Sequence, residues 1–284
     1  WYDRATFLGG TPMALGELSS MSLLSALVVL GVGAVESRLF RLLAIVTIVF
    51  CIAGILLSGS RSSLIACLIV GLMIPFLLSV RRRWWKTVGV ALGLVIGGGL
   101  LALLVPSVVP KNIRLLFVAQ FGEMLMHSRG FLWLWTLEHI PGVMPLGAGV
   151  GAFSVNWAGY DGPVWPHNIV LEAFYELGVI GGIAVITLEV GVFVFAWKRV
   201  RRAKNRFEQM LVAAPAAAMI FMLLRAQLSY DLSGMRNLYL CIGMLYAASM
   251  AIQRRTVATQ TATAQRQQSS GQPTPRMPAK WGAV

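Results

Sequence analysis

Charge is scarce in this chain. Only 12% of its 284 residues are Asp, Glu, Lys or Arg, while 57% are hydrophobic; an ordinary soluble domain carries about 25% charged residues. With a mean hydropathy of +0.73, a soluble globular fold is excluded and an integral membrane protein is implied. Acidic residues are rarest, 11 against 24 Lys and Arg, for a formal charge of +13. The three cysteines, Cys51, Cys67 and Cys241, lie in apolar runs without metal-ligand spacing and read as small buried hydrophobes. Of the three histidines, His127 and His139 have no metal-ligand company either, so no metal site is expected. A GxGxxG phosphate loop is also missing. The run Gly147-Ala148-Gly149-Val150-Gly151 has another order and no strand before it, and reads as a flexible or closely packed turn.

What the chain does have is long apolar runs. Seven are long enough to cross about 30 Å of hydrocarbon as helices: 16–35, 40–57, 62–80, 87–105, 169–197, 209–228 and 237–253. Basic residues alternate with them. Loops after the first, third, fifth and seventh runs hold 17 of the 24 Lys and Arg, among them Arg38 and Arg41, Arg81, Arg82 and Arg83, Lys198 and Arg199, and Arg254 and Arg255. By the positive-inside rule these loops are cytoplasmic, so the chain starts outside and ends inside. The high net charge is thus a topology signal, and no nucleic-acid partner is expected. The sequence opens at Trp1 rather than Met, which predicts the C-terminal part of a longer protein whose earlier spans precede this segment.

The expected fold is all-α: a polytopic helical membrane protein with about seven transmembrane helices and one long external, periplasmic loop containing short helices. The membrane-embedded domain takes 1–253 and its external loop 106–168. A disordered cytoplasmic tail takes 254–284, where Thr, Ala, Gln, Ser and Pro replace the apolar runs. Within the loop, 128–140 reads as a helix with Ser128 as N-cap and Pro141-Gly142 as its stop. Arg129, Leu132, Trp133, Thr136, Leu137 and Ile140 share one face of it. Trp133 and Trp135 suit a membrane interface.

Seven basic residues are left on the outer side: Arg4, Arg61, Lys111, Arg114, Arg129, Arg225 and Arg236. Six are arginine, whose flat fork of donors matches phosphate oxygens two at a time, a geometry lysine lacks. Arg225 lies inside an apolar run near its outer end, where it either snorkels to the interface, pairs with Asp231 or meets a ligand. Arg61 closes a turn of small residues, Ser58-Gly59-Ser60-Arg61, between two spans. His167 follows Pro166 and precedes the helix of the fifth span; a helix N-terminus disfavours positive charge, which suits a neutral imidazole acting as general base or as a plain cap. Glu172 and Glu176, within two turns of Asn168, could orient His167, bind a sugar hydroxyl or pair with an outer arginine. Glu189 is expected deeper, toward the cytoplasmic half, as a packing residue between helices.

Four stretches follow one another in a recognisable order. They are Arg4-Ala5-Thr6-Phe7-Leu8-Gly9-Gly10-Thr11-Pro12, then Ser58-Gly59-Ser60-Arg61-Ser62, then Arg129 with Trp133 leading to Pro145-Leu146-Gly147-Ala148-Gly149, and last His167-Asn168 with Leu171-Glu172 and Glu176-Leu177-Gly178. In that order and spacing they resemble the O-antigen ligase and O-antigen polymerase family of bacterial envelope glycosyltransferases. The match runs over nearly the whole chain except the tail. The family usually has Asn after the proline of the first stretch, where this chain has Met13.

The resemblance implies a metal-independent, cofactor-free, inverting transfer of a glycan from an undecaprenyl-diphosphate carrier to an acceptor sugar hydroxyl. It places the reaction at the periplasmic face of the bacterial inner membrane. The acceptor is the lipopolysaccharide core for a ligase, or a second lipid-linked glycan for a polymerase. His167 is then the base, and Arg61 and Arg129 bind the diphosphate as its charge grows. Arg4, Arg225 and Arg236 add substrate contacts, and Asn168, Glu172 and Glu176 contact substrate or orient His167. Two other classes compete. An anion transporter would show inverted repeats and polar groups near the bilayer midplane, and an assembly partner without catalysis would tolerate lysine at each outer arginine.

Overall fold

The computed structural model describes residues 12–33, 37–78, 129–160, 162, 164–229 and 235–269, with the single positions 89 and 93. Among these residues the regular structure is all helical: α1 Pro12–Val32, α2 Arg38–Ser58, α3 Arg61–Leu78, α4 Gly130–Val143, α5 Ala152–Ala158, α6 Ile169–Arg202, α7 Arg206–Ala226 and α8 Arg236–Ser269. The chain divides into two compact units, one ending at Leu245 and one beginning at Tyr246. Four helices, α1, α2, α6 and α7, are long and apolar enough to cross a membrane, and α3 is apolar over the shorter Arg61–Phe76. The predicted run 87–105 falls outside the described residues apart from positions 89 and 93, and 237–253 lies within α8, which is not among the four.

Burial sorts the helices. In α7, Ala213, Ala216, Ala217, Met219, Ile220 and Phe221 are all buried, and α1, α3 and α6 pack on it. Helix α2 is the opposite case: Leu39, Phe40, Leu43, Val49 and Phe50 are exposed, a face that water rejects and a bilayer accepts. Helix α1 meets α2 and α3 at small residues. A Cβ on Gly16 would lie 2.7 Å from Ser58 Oγ and 2.9 Å from Ser60 Cβ, so only glycine allows this approach.

Local signals set the ends. Gly59 takes the left-handed region (φ 63°) and stops α2. One residue later α3 starts, the Leu64 N–H donating to the Ser60 carbonyl (3.1 Å). Asn205 caps α7, its Oδ1 accepting from the Glu208 N–H (2.9 Å), while Glu208 Oε2 accepts from the Lys204 N–H (2.8 Å). Nearby, Arg201 donates to the Phe76 carbonyl (2.9 Å) and Gln209 to the Leu78 carbonyl (3.0 Å). The ends of α3 and α6 therefore meet the start of α7 among basic residues.

Helix α6 departs from the single span expected of it. Its path breaks at Gly178 (φ 70°, ψ −162°). A straight helix would hold Asn168 and Glu189 about 31 Å apart, yet both reach Gln227. Asn168 Nδ2 donates to the Gln227 carbonyl (3.4 Å), and Gln227 Nε2 donates to Glu189 Oε1 (2.7 Å). The arms 169–177 and 179–202 thus fold toward each other. This corrects the depth predicted for Glu189, which lies at the same end of α7 as Asn168 rather than deeper than it.

The glycine run fills the break. Ala148 N–H donates to the Tyr175 carbonyl (2.8 Å), Gly149 N–H to the Glu176 carbonyl (3.0 Å), and Val179 N–H to the Pro145 carbonyl (3.0 Å). These are the orphan groups that an interrupted helix leaves. A Cβ on Gly178 would stand 2.5 Å from the Leu146 carbonyl carbon, so the turn is closely packed.

Helix α8 continues to Ser269, past position 253 where the sequence predicts order to end. Stretch 254–269 holds no glycine or proline. Its Thr256, Thr259, Thr261 and Thr263 hydroxyls donate to carbonyls four residues earlier.

Candidate functional site

A polar cluster forms around residues 225–229, where α7 ends. Arg129, at the N-cap of α4, donates from its guanidinium to the Leu228 carbonyl. His167 Nδ1 lies 3.4 Å from the Ser229 carbonyl oxygen, and Asn168 Nδ2 meets the carbonyl of Gln227. Ser229 Oγ donates to Ser62 Oγ (3.0 Å), in the turn that bears Arg61. Three segments remote in sequence therefore converge on five residues.

Each contributor is held by its own element. Asn168 caps α6, its Oδ1 accepting from the Leu171 N–H (3.0 Å). Trp133, one turn beyond Arg129, donates its indole N–H to the Pro166 carbonyl (2.8 Å), which ties the arginine helix to the histidine loop. Leu132, Phe153 and Tyr175 form an apolar cluster against which Trp135 and Val164 pack. His167 has φ 58°, the only positive φ on a non-glycine residue among the described ones. Such a conformation costs on the order of 1 kcal/mol, and the anchored residues on both sides enforce it. A carbonyl oxygen can only accept, so Nδ1 is the donor toward Ser229; in the neutral ring this arrangement leaves the lone pair on Nε2.

Electrostatics distinguish this cluster from a solvated surface. Burial first, and then the charge of Arg61, pull the Arg129 guanidinium below its ordinary pKa. Arg129 also acts on the charge of Arg225. All three stay protonated. Like charges gathered in a partly dry place repel one another, which favours anions beside them: Glu17 stands beside Arg225, and the charges of Arg61 and Arg129 likewise favour an anionic ligand.

Arg225 itself is enclosed, at 1% exposure. Its Nη1 is 3.2, 2.7 and 2.8 Å from the Oγ atoms of Ser60, Ser62 and Ser63. Its Nη2 lies 3.8 Å from Glu17 Oε2 on α1. Glu17 is buried too, accepts from Asn237 Nδ2 (2.5 Å), and feels the charge of Arg236. The acidic partner in the structure is thus Glu17; Asp231, suggested by the sequence, lies outside the described residues.

The structure brings together Arg61, Arg129, His167, Asn168 and Arg225. Glu172 and Glu176 are buried. The Glu176 carboxylate is taken up by backbone, Oε2 accepting from the Gly151 N–H (3.0 Å) and Oε1 from the Phe153 N–H (3.2 Å) at the start of α5. Arg236 opens α8 and is exposed. Arg4, Lys111, Arg114, His127 and Ser128 lie outside the described residues. In helix α4 the N-cap position falls to Arg129, whose side chain makes no capping bond, and the helix passes through Pro141 to Val143, because a proline in the last turn removes only one bond near a fraying end. Among the described residues no three His, Cys, Asp or Glu side chains are grouped as metal ligands. Sequence reasoning missed Glu17, Ser60, Ser63, Gln227 and Ser229. For Glu17 a signal was there: a lone carboxylate in an apolar run needs a partner.

Fold and site define a class, a helical membrane protein with an arginine-rich polar cluster at one end of its bundle. The family described as O-antigen ligase matches residues 46–186, a segment that holds Arg61, Arg129, His167 and Asn168. The chain thus carries the domain of a family of bacterial membrane proteins, glycosyltransferase-like ligases and polymerases whose substrates are in general lipid-linked glycans and lipopolysaccharide. No curated protein matches it.

Proposed function

We propose that this protein transfers a glycan from undecaprenyl diphosphate to an acceptor sugar hydroxyl, as an O-antigen ligase, at the periplasmic face of the inner membrane. The observation that carries this reading is the meeting of Arg61, Arg129 and His167 around residues 225–229. The acceptor hydroxyl gives its proton to His167 Nε2 as its oxygen attacks the anomeric carbon. The bond from that carbon to the carrier phosphate breaks with inversion, and the electron pair leaves on the diphosphate. Arg61 and Arg129 stabilise the growing negative charge, which makes the reaction metal-independent. Asn168 fixes the entry to α6 beside the base, while Arg4, Arg236 and Glu172 serve the donor or acceptor.

Transport is the weaker reading. Carriers use interrupted helices because the broken ends offer backbone groups to ions. In α6 those ends are hydrogen-bonded to residues 145–149.

With purified protein and a lipid-linked donor, Arg129→Lys and His167→Ala are each expected to lower transfer by about 100-fold or more, with membrane insertion intact. Full transfer by both variants would sink the reading. The glycan of a deletion strain separates the two family activities. A ligase leaves uncapped core and long carrier-linked chains, a polymerase leaves core bearing a single repeat unit.

A further inference from the structure

We infer that Arg225 is a positioning residue that clamps the turn 58–63 through its serine hydroxyls, with Glu17 as counterion, and so aims Arg61. The inference rests on the reading above, in which Arg61 meets the donor diphosphate.

An arginine within an apolar helix needs a physical reason. Substrate contact does not supply it here, since the side chain is 1% exposed and its Nη1 faces the hydroxyls of Ser60, Ser62 and Ser63. Those serines flank Arg61 on both sides. They are also joined to one another and to the turn after α7: Ser60 Oγ is 2.8 Å from Ser63 Oγ, the Ser60 N–H donates to Ser58 Oγ (3.2 Å), and Ser62 Oγ accepts from Ser229 Oγ (3.0 Å). The turn just after α7 holds Arg129 and His167 by its carbonyls at 228 and 229. One hub therefore sets the spacing of all three.

Helix α1 closes the cage. Glu17 balances the buried charge at 3.8 Å, Asn237 orients its carboxylate, and Gly16 lets the α1 backbone touch Ser58 and Ser60. A lysine at 225 would offer one compact ammonium, which cannot face three serines and a carboxylate at once.

The test uses the whole chain in lipid nanodiscs. Two variants are compared with the parent: Arg225→Lys, and Glu17→Gln combined with Arg225→Met, which leaves no buried charge unpaired and so preserves packing. Backbone hydrogen exchange is read at 58–63 against the turn 145–149. Both variants are expected to exchange about tenfold faster at 58–63 with 145–149 unchanged. Unchanged exchange at 58–63 in a variant that inserts overturns the proposal, as does equal acceleration of both turns, the mark of general destabilisation.

Transfer is then measured as a double-mutant cycle. Arg225→Lys is expected to lower kcat/KM about tenfold in the parent and to change it little in an Arg61→Lys background. Additive losses overturn the link to Arg61. If Arg61→Lys transfers at the parental rate while exchange at 58–63 still responds to Arg225, the clamp stands and the donor role of Arg61 falls.

Discussion

At the scale of single residues, His167 and Glu176 separate chemistry from support. His167 sits at φ 58°, a region asparagine tolerates and β-branched residues do not. His167→Asn is therefore expected to melt near the parental temperature and lose transfer, whereas His167→Val loses both. A Val variant of parental stability would show that the conformation is not required. Glu176→Ala strips the acceptor from the Gly151 and Phe153 N–H groups, at a cost of about 1–3 kcal/mol. Glu176→Gln keeps an acceptor oxygen and is expected to transfer near the parental rate; a large loss of kcat in that variant, with its stability intact, would return the carboxylate to the chemistry. The arginines left over by the positive-inside count were legible in the sequence because that count is a simple topological rule. The contrast between Arg129, which faces an open cluster, and Arg225, which faces serines, was not, because hydrogen-bond partners 160 and more positions away leave no trace in local pattern.

At the scale of elements, α6 carries the lesson. Apolar length marks where hydrocarbon is favoured, and 169–197 has it throughout, so the run reads as one helix. Only a glycine marks the break, and glycine is common in membrane helices. What bends the chain at Gly178 is that the turn 145–149 arrives to satisfy Tyr175, Glu176 and Val179. Gly178→Ala sets a Cβ against the Leu146 carbonyl carbon at 2.5 Å, with φ 70° besides, so the turn must leave. The expected result is rapid proteolytic cleavage within 144–151 and a destabilisation of about 2 kcal/mol or more; parental resistance to protease would show that the break tolerates a side chain. Helix α4 errs in a milder way. Its predicted stop at Pro141 and its true end at Val143 differ by a couple of residues, which is the ordinary uncertainty of a fraying terminus.

At the scale of the whole molecule, the two ends of the bundle differ in kind. One gathers Arg201, Gln209 and the end of α3, and the other gathers Arg61, Arg129, His167 and residues 225–229. Single cysteines replacing Lys204 and Leu146, both exposed, are expected to react with an impermeant maleimide from opposite sides of the membrane, Lys204 from the cytoplasm. Native Cys51, Cys67 and Cys241 are buried and should contribute little background. Labelling of the Lys204 position from the periplasm would overturn the orientation drawn from the positive-inside rule, and labelling of both positions from one side would deny that the two ends lie across the membrane.

The sequence by itself determined that this is a helical membrane protein and pointed to its O-antigen ligase family, and the sign of its loops supplied an expected orientation. Those properties are local or additive: transfer of apolar residues into lipid, the sign of charge between spans, the order of short motifs. Only the tertiary structure decided that Glu17 answers Arg225, that α6 folds back at Gly178, and that Glu176 holds a turn. Each of those depends on which groups remain to be satisfied once distant segments have packed, and in a bilayer an unsatisfied group is too costly to leave.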